Sequence, residues 1–279
     1  MSTDAAADSY DFTLTGHAGE LVGTAWPIAD PGWIAIITHG YGEHALRYRW
    51  VAEQLNAAGA TVYAADHRGH GRSAGERVEI TDFEPVVADV AEVLELATHE
   101  NPELPVVLIG HSMGGMIAAR FAQLHGEDLA ALVLSGPVLG RWEAVEELLV
   151  LEEIPPTPID VATLSRDPEV GRAYAADPLI WHGDFKRVTL LALHDELELI
   201  NTGGGFEDLP VLYLHGEADE LVPIGPSAEA VERLRGERTE TKTYPEARHE
   251  IFNELNRDEV LDDVIGFVAS VLGDRVVRR

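Results

Sequence analysis

Residues 110–114 read Gly-His-Ser-Met-Gly, a serine with a glycine two positions to either side. A serine hydroxyl is a weak nucleophile until a neighbouring base takes its proton and a carboxylate orients that base. Two glycines around a serine occur by chance, so the setting carries the signal. The apolar run 106–109 directly precedes the motif, and helical spacing begins at Met113. A sharp strand-to-helix turn forces Ser112 into a strained backbone, and only small residues fit beside it, which accounts for Gly110 and Gly114. Gly115 lets the helix pack closely on the sheet. Ser112 then sits at a helix N-terminus, where developing negative charge is favoured.

Where a nucleophile of this kind ends a strand, the chain order is serine, then acid, then histidine. Of twelve histidines, His249 fits: it lies in Glu-Ala-Arg-His-Glu-Ile-Phe-Asn (246–253), past the last strand pattern and before the final helix. His215 also ends a strand but precedes the best acid, and His39 and His44 precede the serine. The acid is Asp219, in Leu-His-Gly-Glu-Ala-Asp (214–219); its rivals Glu217 and Glu220 read as solvated loop charges. Asp219 would hold the imidazole's tautomer and stabilise imidazolium. The oxyanion of a tetrahedral intermediate needs preorganised donors. These are expected from the backbone N–H of Met113 and of Tyr41, in the loop His-Gly-Tyr-Gly-Glu-His (39–44). The segment Asp-His-Arg-Gly-His-Gly-Arg-Ser (66–73) reads as a tight structural turn. His67 and His70 within it could be metal ligands, but no His-Glu-x-x-His pattern or carboxylate set supports that, so no metal is expected.

These residues need a scaffold that brings strand ends together. Alternating stretches at 10–15 and 21–26 suit an antiparallel start to a sheet. From there, short continuous apolar runs at 34–38, 61–65, 105–109, 129–134 and 211–215 read as strands buried on both faces, with a further strand at 241–244. Helical patterns fall between them at 48–57, 83–98 (with Asp82 as a possible N-cap), 113–124, 226–234 and 257–272. Strands alternating with helices give the α/β class, with a mostly parallel sheet. Residues 136–205 break the rhythm. They carry helical patterns at 142–154, stopped by Pro155, Pro156 and Pro158, and at 167–176 and 188–199. A helical cap, 136–205, inserted into a core of 1–135 and 206–279 is expected; the alternative is a longer helical crossover.

The 279 residues suit one such core with an insertion, and 46% apolar residues suffice for its interior. Without cysteine there is no disulfide, iron–sulfur cluster or thiol nucleophile. The acidic start lacks an apolar leader, and no apolar run is long enough to span a bilayer, so a cytoplasmic protein is expected. Twenty basic against 49 acidic residues give a net charge of −29, and Lys186 and Lys242 are the two lysines. That balance argues against nucleic-acid binding and against docking on anionic membranes. It fits either adaptation to high salt, where carboxylate repulsion is screened, or a well-solvated acidic surface.

Taken together, these motifs resemble the bacterial-type monoacylglycerol lipase family of the α/β-hydrolase superfamily, over roughly residues 19–272. Besides the segments quoted, Arg-His-Glu-Ile-Phe-Asn-Glu (248–254), residues 164–174 and Asp-Pro-Leu (177–179) carry the likeness. The resemblance implies an α/β-hydrolase fold and hydrolysis of monoacylglycerol to glycerol and fatty acid through an acyl-serine, with no cofactor. It implies an apolar tunnel under the cap for this small lipid ester, and a polar glycerol site at Glu43, His44 and Arg47; the residues themselves read equally as a surface salt-bridge cluster. Family caps offer an apolar face to lipid, which here would be Val145, Leu148, Leu149 and Leu151, flanked by carboxylates that weaken contact with anionic lipid. Carboxylesterase, lysophospholipase or thioesterase activity on the same triad, and a non-catalytic ligand-binding protein on this fold, are the alternatives.

Overall fold

The computed structural model describes residues 9–17, 19–273 and 276–278; the acidic start at 1–8 lies outside them. The strands are β1 (Tyr10–Gly16), β2 (Gly19–Trp26), β3 (Trp33–Thr38), β4 (Ala60–Ala65), β5 (Val106–His111), β6 (Ala131–Ser135), β7 (Val211–Gly216) and β8 (Thr239–Tyr244). They form one sheet in the order β1-β2-β4-β3-β5-β6-β7-β8. Strand β2 runs against both its neighbours, and every pair from β4 to β8 is parallel. The helices are α1 (Arg49–Ala57), α2 (Glu84–Glu100), α3 (Met113–His125), α4 (Glu143–Val150), α5 (Pro168–Ala176), α6 (Arg187–Thr202), α7 (Ile224–Leu234) and α8 (Arg257–Leu272). Among the described residues no helix is long and apolar enough to cross a membrane.

Each central strand is apolar throughout because both of its faces are covered. Ile34, Ile36, Val106 and Leu108 face one apolar cluster with α2, α3 and α6; Ala35, Ile37, Val107 and Ile109 face another with α1 and α8. Burying each large aliphatic side chain contributes about 1.5–3 kcal/mol, so these strands anchor the loops at their carboxyl ends. Strand β8 (Thr-Glu-Thr-Lys-Thr-Tyr) is the opposite: its four middle residues are exposed, and their charges guard the sheet edge.

Residues 136–205, between β6 and β7, carry α4, α5 and α6. Helix α6 packs Leu190, Leu193, Leu197 and Ile200 into the same cluster as α2 and α3, so its inner face is continuous with the core. Helix α4 is shorter than the 142–154 pattern suggests. Arg187 donates to the carbonyls of Leu149 and Leu151, and the backbone is extended from Leu151, ahead of the prolines. The apolar face expected toward lipid is also corrected: Val145 is buried and Leu148 and Leu149 pack on the core. Of the four residues expected there, Leu151 is exposed, and Val150, at 83% exposure, joins it. At the start of α2, Asp82 accepts from the Glu84 N–H at 3.1 Å, although the helix boundary falls one residue after Asp82 at Phe83.

Candidate active site

The parallel strands β3, β5, β7 and β8 present their carboxyl ends at one edge of the sheet, and the loops leaving them carry the sequence candidates. Ser112 sits between β5 and α3 with φ 56° and ψ −121°, a region costing a non-glycine residue about 1–3 kcal/mol. The turn around it leaves no room. A Cβ on Gly114 would lie 2.2 Å from the Thr38 carbonyl oxygen, and one on Gly110 2.5 Å from that of Gly114. The Ser112 N–H donates to the Ser135 carbonyl at 3.0 Å, and its own carbonyl accepts from Gly115, Met116 and Val138. These bonds hold the strain in place.

Asp219, His249 and Ser112 come together from three separate loops. His249 Nδ1 is 2.7 Å from Asp219 Oδ2, and His249 Nε2 is 2.9 Å from Ser112 Oγ. Asp219 Oδ1 accepts from the Leu221 and Val222 N–H groups at 3.0 and 2.8 Å, fixing the carboxylate plane. Burial works to raise the Asp219 carboxyl, but His249 and His215 beside it hold it well below the ordinary carboxylate range. Burial works to lower His249, but Asp219 outweighs it and raises the imidazole above its usual 6.5. This pairing produces a basic imidazole beside a hydroxyl. Glu217 lies outside the cluster: its carboxylate accepts from the Thr243 hydroxyl at the exposed surface.

The loop after β3 approaches the serine closely: a Cβ on Gly40 would lie 3.2 Å from Ser112 Cβ. The N–H groups of Tyr41 and Met113 have no acceptor among the described residues. Tyr41 lines the same cavity as Ser112, and Met113 follows the serine at the N-terminus of α3. His39 and His67 brace this loop. His67 N–H donates to His39 Nε2 (2.9 Å), so His39 Nδ1 carries the proton and donates to the Gly40 carbonyl (2.8 Å). His67 Nε2 in turn bonds the His39 carbonyl at 3.1 Å, and His70 Nδ1 the Arg68 carbonyl at 3.0 Å. Burial pushes all three imidazoles down, His70 to about 4. Asp66 accepts from the Ala45 and Arg72 N–H groups, completing the turn expected at 66–73.

The residues considered for a polar site divide. Glu43 is buried. Its Oε1 accepts from the Gly40 N–H (2.6 Å) and the Tyr48 hydroxyl (2.7 Å), and Oε2 from Arg47 (2.5 Å). Burial works to raise this carboxyl, and Arg47, His111 and the hydrogen bonds from Tyr48 and Gly40 together outweigh it, holding it at about 2. Arg47 also forms a bidentate pair with Glu250 at 2.8 and 2.7 Å. The surface salt-bridge cluster is therefore excluded, since these charges lie inside the protein. Glu43, Arg47 and Glu250 line the cavity over Ser112, whereas His44 does not; its Nε2 bonds Asp177 of the insertion at 2.9 Å.

Three functional neighbours were missed in the sequence. His111 sat inside the serine motif. Its Nδ1 bonds the Ser135 carbonyl (2.9 Å), its ring lies 4.8 Å from that of His249, and burial and that neighbour lower it to about 4. His215, set aside as a base by chain order, places Nε2 2.8 Å from the Val222 carbonyl and 3.2 Å from Asp219 Oδ2. Glu250 adjoined the candidate base, and no spacing pairs it with Arg47 two hundred residues away.

Trp142, Ile159, Leu164, Tyr174 and Phe185, from the segment between β6 and β7, line the cavity over Ser112; Phe185 stacks on Tyr41 at 4.9 Å. The space is about 30 Å³, room for a few waters at most. The apolar tunnel implied by the resemblance is reduced in this structure to that small space, with Trp142, Tyr174 and Phe185 among its lining.

Residues 29–256 match the hydrolase family described as serine aminopeptidase, S33. A monoacylglycerol lipase of Mycolicibacterium smegmatis is 38% identical, covering 94% of this chain and 98% of its own. The monoglyceride lipase of Homo sapiens is 33% identical over 82% of this chain and 79% of its own. Among solved structures, the monoacylglycerol lipase of Paleococcus ferrophilus superposes with a TM-score of 0.74 at 27% identity, covering 94% of this chain and 99% of its own. A Bacillus coagulans carboxyl esterase in complex with glycerol does so with a TM-score of 0.79 at 25% identity, covering 95% and 99%.

Proposed function

Starting from a chain that belongs to the serine aminopeptidase S33 family of α/β-hydrolases, we propose that it cleaves monoacylglycerol to glycerol and free fatty acid through an acyl-serine intermediate. The observation that carries the chemistry is the unbroken chain Asp219–His249–Ser112, at 2.7 and 2.9 Å, on a strained serine turn. His249 takes the Ser112 proton as Oγ attacks the ester carbonyl. The N–H groups of Tyr41 and Met113 receive the oxyanion. His249 then protonates the departing glycerol, and water repeats the two steps on the acyl-serine. The lining favours this substrate class: it is apolar at Trp142, Ile159, Leu164, Phe185 and Leu221, and polar at Glu43, Arg47, His111 and Glu250. An acyl chain suits the first set and glycerol hydroxyls the second. Glu43 Oε1 already accepts two bonds and Oε2 one, so Oε2 keeps a lone pair for a glycerol hydroxyl, whereas His44, bonded to Asp177, is not part of the lining.

Residues 136–205 are the cap of this reading, over a core of 1–135 and 206–279. The 30 Å³ space is too small for an acyl chain, so on this reading the cap moves as a lipid enters. The exposed Val150 and Leu151 are its contact with a lipid interface. The test is initial rates on monoacylglycerols of graded chain length beside diacylglycerol, lysophosphatidylcholine and a short aryl ester, with Ser112→Ala as the blank. Monoacylglycerol is expected to be preferred, with turnover falling by up to about a million-fold in the blank. Retained activity in the blank would overturn the triad. The tight cavity favours a second reading, a general carboxylesterase, and better turnover of the short ester would select it.

A further inference from the structure

The loop that carries His249 does not hold itself in place alone. Of three successive backbone N–H groups in it, one is held by a side chain of the same loop and two are captured from outside. Arg248 N–H donates to Glu254 Oε1 at 2.9 Å, His249 N–H to the Thr163 carbonyl at 3.3 Å and Glu250 N–H to the Leu164 carbonyl at 2.8 Å. Two of the three acceptors are backbone carbonyls of the insertion, and Leu164 itself lines the cavity over Ser112.

The third acceptor, Glu254, reaches the same segment. Its carboxylate is fully buried. Oε1 also accepts from the Arg166 N–H (3.0 Å), and Oε2 from Arg166 Nε (2.9 Å) and the Leu255 N–H (2.9 Å). All four donors point at one carboxylate, and they outweigh burial to hold it ionised, below its ordinary range. From the other side, Arg248 Nη1 donates to the carbonyls of Ala162 and Ser165 at 2.5 and 3.0 Å, and Ser165 Oγ to that of Asn253 at 3.0 Å. Residues 162–166 and 248–254 are thus laced into one body. The imidazole leaves that body at residue 249, so its direction toward Ser112 depends on where the insertion segment sits.

We propose that Glu254 is a positioning residue for His249: by locking residues 248–250 to residues 162–166, it makes this part of the insertion the outer half of the base's scaffold. The inference rests on the reading of His249 as the base. It divides the insertion into a fixed arm, 162–166, and a remainder through which the cavity must open.

The test uses the full chain with Glu254→Gln and, separately, Arg248→Ala. The carboxamide turns an NH₂ toward two N–H donors on one edge. Arg248→Ala leaves Glu254 intact, keeps the backbone N–H and removes the bonds to Ala162 and Ser165, so it weighs the rest of the lacing. If Glu254→Gln does not fold, Glu254→Asp, which keeps the charge but draws the carboxylate back by one methylene, decides the question. Active sites are titrated with a fluorophosphonate, and turnover of a soluble aryl ester is measured per titrated site across pH. Expected are a loss in kcat per site on the order of 10- to 100-fold for Glu254→Gln, a smaller loss for Arg248→Ala, little change in KM, and an acid limb displaced downward as the His249–Asp219 bond loosens. A merely structural role would lower the number of titratable sites and leave kcat per site and the limb unchanged; that result in a folded Glu254 variant overturns the proposal. The reading of the triad itself stands or falls separately, on Ser112→Ala.

Discussion

Replacing Asp219 with Asn changes one oxygen to an NH₂, and the surroundings dictate which. Oδ1 accepts two backbone N–H groups, from Leu221 and Val222 at 3.0 and 2.8 Å. Turning the NH₂ toward them would strand both donors at about 1–3 kcal/mol each, so the carbonyl oxygen stays there and the NH₂ takes the Oδ2 site. There it faces His249 Nδ1 at 2.7 Å. Two donors cannot share that contact, so Nδ1 must give up its proton and become the acceptor. The proton then resides on Nε2, 2.9 Å from Ser112 Oγ, where it blocks removal of the serine proton. Triads forced into this tautomer lose about 10⁴ in kcat, equivalent to about 5.4 kcal/mol. The variant should fold, because its shape and both backbone bonds survive. The assay is kcat on a soluble ester at pH 7–8, with the thermal midpoint as the control for folding. A loss of less than about tenfold in a folded variant would refute the tautomer argument and the assignment of Asp219 with it.

Since Asp219 raises His249 above 6.5 against the opposing effect of burial, the acid limb of kcat/KM should have its midpoint above 6.5; a midpoint below it would contradict the pairing. The same raised value contributes folding stability that is fully present below pH 6.5 and is lost as pH rises through the folded value, which thermal midpoints of wild type and His249→Ala across pH would reveal. Val150→Glu with Leu151→Glu should weaken activity on vesicle-borne monoacylglycerol several-fold while leaving a soluble ester untouched, because both side chains point away from the core; equal loss on both substrates would place them in the catalytic cavity. With a net charge of −29, screening should relieve self-repulsion, so the thermal midpoint should rise between about 0.05 and 1 M NaCl; a flat response would show that the carboxylates are already well solvated.

Much of the architecture was legible because it follows from local chemistry. Runs such as Ile34–Ile37 and Val106–Ile109 must be buried on both faces, and glycines 110 and 114 signal a turn where a Cβ has no room. Chain order then sorted one histidine from twelve. Helix α4 was overextended because helical periodicity runs on through residue 154, whereas its end is set by Arg187, which captures the last carbonyls from another helix. Glu43 and Arg47 read as either surface or site because an i, i+4 ion pair looks the same in both; burial and the distant Glu250 decide it.

The sequence by itself determined which residues could serve as nucleophile, acid and base, since those roles depend on residue type and on loops at strand ends. The tertiary structure alone decided how they are held. It brought His111 and His215 against the triad, laced residues 162–166 to the His249 loop through Glu254, and filled the space above Ser112 with aromatic side chains. Apart from His215 with Asp219 and Arg248 with Glu254, which are close along the chain, those contacts join segments tens to hundreds of residues apart, and hydrogen bonding and burial at such separations leave no periodic trace along the chain.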